Sequence, residues 1–105
     1  MIAIELLYFD RCPSWERAWT AIGGALATAG VDAFVRLRNI DDLPPSDRTG
    51  FAGSPTVRID GRDLEGYDGP AVMACRRYQS NAGKGWPSRA DLEERLRAAG
   101  AMDVP

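Results

Sequence analysis

The feature that most constrains this chain is an apolar run that stops at a cysteine–proline pair. Ile2 to Phe9 is β-branched, Leu-rich and aromatic, with Glu5 its only charge, and this predicts a buried strand. Asp10-Arg11-Cys12-Pro13 breaks the pattern. Beyond it, Trp15, Trp19, Ile22, Leu26 and Ala29 recur at spacings of three and four, which lays one apolar face along a helix from about Pro13 to Ala29. Pro13 suits the first helical turn, where its missing N–H costs nothing, and Gly30 is placed to end the helix. Asp32 to Ile40 reads as a second strand. A strand, a helix and a strand of these lengths form a βαβ unit with parallel strands.

The rest of the chain is shorter in period. Asp41 to Gly50 is polar, contains Pro44-Pro45, and predicts a loop with at most a short helix from about Pro45 to Gly50. Phe51 to Pro55 reads as a turn and Thr56 to Asp60 alternates as a strand. Asp60-Gly61 is a hairpin dipeptide, with Arg62 to Glu65 returning. Gly66 to Pro87, with four glycines and an apolar patch at Ala71–Cys75, reads as an insertion, partly helical or extended. Ser88 followed by Asp91 resembles a capping box, and Leu92, Leu96 and Ala99 give the buried face of a last helix that Gly100 ends. The tail from Ala101 to Pro105 is expected to fray. The order is β-α-β-(short α)-β-β-α in one domain, 1–105.

Composition excludes several function classes. Thirteen basic and fifteen acidic side chains leave a net charge of −2, and the arginines are scattered. That is no electrostatic footprint for nucleic acid. No basic leader or cleavage site precedes the first strand, and no run is long enough to span a bilayer, so a cytoplasmic location with two reduced thiols is expected, with no membrane partner. The chain has no His, which removes Cys-His and Ser-His-Asp catalysis and imidazole ligation. No cofactor is expected, and chemistry must run on thiols, carboxylates, Arg, Tyr or Lys.

Cys12 stands where the first strand ends and the first helix begins. Unpaired N–H groups and the positive end of the helix dipole favour a thiolate there, and Arg11 and Arg17 add positive charge. The competing reading is a small buried hydrophobe. Cys75 has two readings of equal standing: a second active thiol folding back over Cys12, or a buried cysteine in an apolar strand or helix. Trp15 and Trp19 read as core or pocket wall, Arg36, Arg38 and Arg58 as one solvated face, and Gly83-Lys84-Gly85 as no complete phosphate loop.

Two stretches resemble the thioredoxin and glutaredoxin proteins. Tyr8-Phe9-Asp10-Arg11-Cys12-Pro13-Ser14-Trp15 is similar to their active-site turn, and Gly53-Ser54-Pro55-Thr56-Val57 to their second landmark, a cis-proline before a strand and facing the cysteine. The resemblance covers about Ile2 to Glu65 and the last helix. It implies a thioredoxin-like fold, an α/β domain with a mixed sheet, and a thiol-dependent oxidoreductase. Cys12 would be the nucleophile, Cys75 the candidate resolving thiol, and Pro13, Ser14, Trp15, Ser54 and Pro55 the substrate site. The competing reading of Pro55 is a trans proline opening an edge strand, and the spacing to Cys12 and the strand that follows favour cis. The chain departs from the family at Trp15, which stands where the redox motif has its second Cys.

The Cys-Pro-Ser-Trp turn, the Gly-Ser-Pro-Thr-Val-Arg-Ile-Asp-Gly stretch and the Cys-Arg-Arg-Tyr segment also resemble short bacterial thioredoxin-like proteins related to alkylmercury lyase. That likeness implies soft-metal ligation by Cys12 and Cys75. The lyase's carbon-protonating aspartate has no counterpart, because Trp15 occupies its place and Asp10 lies on the other side of the thiol. The expected partner is a thiol or disulfide, either a protein or glutathione. Mercury or another soft metal is the alternative cargo, and a noncatalytic binding module is the third reading.

Overall fold

A computed structural model describes residues 1–102. The order is β1 (Ile2–Tyr8), α1 (Trp15–Ala29), β2 (Ala33–Asn39), β3 (Thr56–Ile59), β4 (Arg62–Asp63) and α2 (Arg89–Met102). The sheet runs β2-β1-β3-β4; β1 is parallel to β2 and antiparallel to β3, and β3 is antiparallel to β4. This is a mixed α/β architecture. β1 lies between two strands and is apolar along one face, with Leu7 alone buried in a cluster on the other. Ile2, Ile4 and Leu6 point one way, into a core with Ala18, Ile22 and Ala25 of α1 and Leu92 and Leu96 of α2. Both helices therefore cover that face. Leu7, of opposite parity, joins Phe9, Cys12, Ile40 and Phe51 in a smaller cluster on the other face.

The rest of that second face is polar. Glu5 stands opposite Arg36 on β2 and Arg58 on β3. It accepts a hydrogen bond from Arg38 at 3.1 Å. The three arginines thus share one face with Glu5, and Arg58 also donates to the Thr49 carbonyl at 3.3 Å.

Several boundaries depart from expectation. Helix α1 starts at Trp15, and its buried stripe is Ala18, Ile22 and Ala25. Trp19 lies off that stripe and is 41% exposed, while Trp15 packs against Tyr8 with ring centres 4.4 Å apart. The expected short helix is replaced by two 3-10 turns, Ile40–Asp42 and Pro45–Asp47. Pro44-Pro45 removes two backbone donors that a longer helix would need. Strand β4 is only two residues long, because the Asp63 carboxylate accepts the N–H groups of Glu65 and Tyr67 at 2.8 and 3.3 Å and bends the chain away.

Gly30 does end α1, with φ +65° and its N–H on the Leu26 carbonyl at 3.1 Å. Gly100 does not end α2. It lies inside the helix where a Cβ would come within 2.9 Å of Val31 Cγ1, so its role is close packing. Ser88 Oγ accepts the Asp91 N–H at 3.1 Å, one half of the expected capping box. Ala101 and Met102 complete α2 instead of fraying, and the remainder of the expected tail, 103–105, lies outside the described residues. Among the described residues no helix is long and apolar enough to cross a membrane.

Candidate functional site

Cys12 and Cys75 are joined by a disulfide, with Cα atoms 6.0 Å apart across 63 positions of sequence. The two thiols expected to be reduced are therefore closed, at a Cα separation in the ordinary disulfide range. Cys12 sits in the turn before α1, its N–H donating to the Phe9 carbonyl at 3.3 Å. Ser14 caps α1 without a side-chain hydrogen bond, so the helix keeps free N-terminal donors beside this turn.

The segment carrying Cys75 is a strap laid along residues 50–54. The Gly50 N–H donates to the Gly69 carbonyl at 2.8 Å, and the Val72 N–H to the Phe51 carbonyl at 2.8 Å. The Ser54 N–H donates to the Ala74 carbonyl at 2.9 Å, and the Arg76 N–H to the Ser54 carbonyl at 2.9 Å. Cys75 thus faces Ser54 in a parallel bridge. Gly53 makes this approach feasible: its φ is +103°, and a Cβ there would lie 2.7 Å from the Ala74 carbonyl oxygen.

Beyond Cys75 the strap is anchored. The Arg76 guanidinium reaches both carboxylate oxygens of Asp63, at 2.5 and 2.7 Å, and lies 3.6 Å from Glu65. It also sits over the Tyr78 ring, 4.2 Å from its centre. The buried Tyr78 hydroxyl donates to the Pro55 carbonyl at 2.6 Å. Burial alone would raise the Asp63 carboxyl, but the hydrogen bonds and charge of Arg76, with the Glu65 and Tyr67 N–H groups, hold it below its ordinary value. Burial would likewise lower Arg76, and Asp63, Tyr78 and Glu65 outweigh it, so the guanidinium is held more firmly charged. Burial pushes the Tyr78 phenol well up, so it stays a neutral donor.

The residues expected to form the site converge only in part. The Ser54–Pro55 peptide is cis, and Ser54 Oγ accepts the Phe9 N–H at 3.1 Å, tying this turn to the end of β1. Both residues are buried, with the backbone of Ser54 and the carbonyl of Pro55 already engaged by the strap. Ser14 abuts Gly85, where a Cβ would meet its Oγ at 2.7 Å. Pro13 is exposed, and Trp15 forms a wall against Tyr8. Arg11 and Arg17 lie over the rings of Phe9 and Trp86, at 5.0 and 4.7 Å. Gly83-Lys84-Gly85 belongs to a tight turn in which the Tyr78 N–H meets the Lys84 carbonyl at 2.7 Å.

Exposure of the two cysteines is the reverse of what an attacking Cys12 requires. Cys12 is 1% exposed, packed with Leu7, Phe9, Ile40 and Phe51, whereas Cys75 is an exposed residue. The buried ion pair that sequence reading missed is Asp63–Arg76. Along the strap exposure alternates, with Cys75 and Arg77 exposed and Arg76 and Tyr78 buried, a pattern that two successive arginines do not announce in the sequence. Among the described residues no three His, Cys, Asp or Glu side chains gather into a metal cage. No family model matches the chain, and no curated protein matches it significantly.

Proposed function

We propose that this chain is a thioredoxin-like thiol–disulfide oxidoreductase that cycles between a Cys12/Cys75 dithiol and disulfide. The observation that carries this reading is the Cys12–Cys75 bond itself, formed between the turn before α1 and a strap lying over Ser54. The strand order, with a parallel β1–β2 pair and an antiparallel β3–β4 hairpin, supports assignment to the thioredoxin-like folds. In the cycle two electrons and two protons pass from the dithiol to a substrate disulfide, giving two substrate thiols and the closed bond. The substrate is a protein disulfide or oxidised glutathione. The test is reduction of a disulfide substrate with dithiothreitol as electron donor. Wild-type protein should accelerate turnover, and the Cys12→Ser/Cys75→Ser double variant should not. Equal rates would refute the assignment.

A second reading is favoured by the same 6.0 Å separation of Cα atoms. Once reduced, two thiolates held this close suit a soft cation such as mercury(II). Titration of the reduced protein should then show one equivalent bound per chain, with loss of that stoichiometry in either single Cys→Ser variant.

A further inference from the structure

We propose that Cys75, not Cys12, is the sulfur through which external thiols and disulfides enter, and that buried Cys12 is the leaving and resolving thiol. This rests on the redox reading above and assigns the order of its steps. Thiolate attack on a disulfide needs an open path to the sulfur that is struck, along the line of the bond that breaks. Cys12 offers none. It is 1% exposed and enclosed by Leu7, Phe9, Ile40 and Phe51.

Cys75 is open to solvent. It also lines a surface groove of about 760 Å³, together with Ala52, Tyr67, Pro70, Arg76 and Arg77, and Cys12 takes no part in that groove. The groove has room for a tripeptide-sized thiol. The groove carries charge of both signs, Arg76 and Arg77 against Glu65 and Asp68, so access to the sulfur, not electrostatic attraction, sets the point of entry.

A thiolate RS⁻ attacks Cys75 Sγ; the new bond is RS–S(Cys75), the broken bond is Cys75–Cys12, and the electron pair leaves on Cys12. The vacated thiolate lies in the turn before α1, whose N-terminal amides have no side-chain cap and whose dipole opposes the cost of the apolar surroundings. A second RS⁻ then attacks the RS sulfur, giving RSSR and the Cys75 thiolate. In the oxidising direction Cys75 attacks a substrate disulfide and expels one thiolate. Cys12 next attacks Cys75 Sγ and expels the other.

The test uses the full-length oxidised protein and reduced glutathione. A brief reaction is quenched with acid, free thiols are alkylated, and the products are mapped by mass. Glutathione on Cys75 with the alkyl group on Cys12 is expected; glutathione on Cys12 would overturn the assignment. Should reclosure outrun trapping, the single variants decide. Cys12→Ser should be glutathionylated by oxidised glutathione at least about tenfold faster than Cys75→Ser. Equal rates, or a faster Cys75→Ser, would overturn it. A wild-type disulfide inert to glutathione would instead refute the redox reading, and the variant rates would still judge the order of entry.

Discussion

Arg76, the residue after Cys75, is held by both oxygens of the Asp63 carboxylate, at 2.5 and 2.7 Å, with both side chains at most 5% exposed. One end of the strap is therefore fixed to the end of the sheet by an ion pair that does not depend on the disulfide. This bears on redox poise. A dithiol closes readily when its sulfurs are held together by something other than their own bond, because the effective concentration of one for the other stays high.

Arg76→Gln should accordingly weaken the disulfide as well as the fold. Removing one partner of a buried ion pair typically costs about 3–5 kcal/mol, and Glu65 at 3.6 Å cannot rescue Asp63 because it is also an acid. A tenfold loss of effective concentration would raise the reduction potential by about 30 mV. Redox titration in glutathione buffers checks this. A variant with lowered melting temperature and unchanged potential would confine Arg76 to a structural role.

Acid should act on the same pair. The folded-state pKa of Asp63 is depressed, so its contribution to stability is full above the unfolded value of about 3.9 and is lost as pH falls through the folded value. Urea unfolding of wild-type protein should show a loss of stability beginning below about pH 4. Asp63→Asn should be less stable at neutral pH and show a shallower acid dependence. Parallel curves for the two proteins would assign the acid sensitivity to other carboxylates.

The β1–α1–β2 unit was legible because periodicity 2 and periodicity 3.6 follow one another across Cys12-Pro13, with Gly30 at the far end. Long regular patterns declare themselves locally. The strap did not, because its position depends on backbone hydrogen bonds to residues 50–54 and on a carboxylate twelve positions before Cys75 in sequence. Arg76 reads as a surface residue until Asp63 is known to be buried opposite it. The burial of Cys12 stood in the sequence only as one of two readings, for a related reason. The helix N-terminus is a local feature, whereas the lid formed by Phe9, Ile40 and Phe51 comes from three separate segments.

Gly53→Ala should displace the strap without touching either cysteine. The added Cβ would lie 2.7 Å from the Ala74 carbonyl oxygen, which is backbone, and the φ of +103° is strained for any other residue. Destabilisation of about 1–3 kcal/mol is expected. The Cys12–Cys75 bond should also be reduced faster by dithiothreitol than in the wild type. Unchanged reduction kinetics would mean that the strap does not need its seat on Gly53.

Reduction should open part of the strap and leave the domain folded. In the chain-entropy description a cross-link over this separation contributes up to about 4 kcal/mol, less than the total stability of many domains of this size. What remains after reduction is decided by the anchors. Gly69 to Cys75 is held to residues 50–54 by backbone hydrogen bonds alone, and Ala71 to Cys75 are exposed. Arg76 and Tyr78 retain Asp63 and the Pro55 carbonyl. Hydrogen exchange should therefore quicken at the Val72 and Ser54 amides, which donate across the strap to the Phe51 and Ala74 carbonyls, while the Tyr78 amide, bonded to the Lys84 carbonyl at 2.7 Å, stays protected. Faster exchange throughout β1 and α1 would show that the disulfide holds the whole fold. No change at Val72 would show that the strap stays closed as a dithiol.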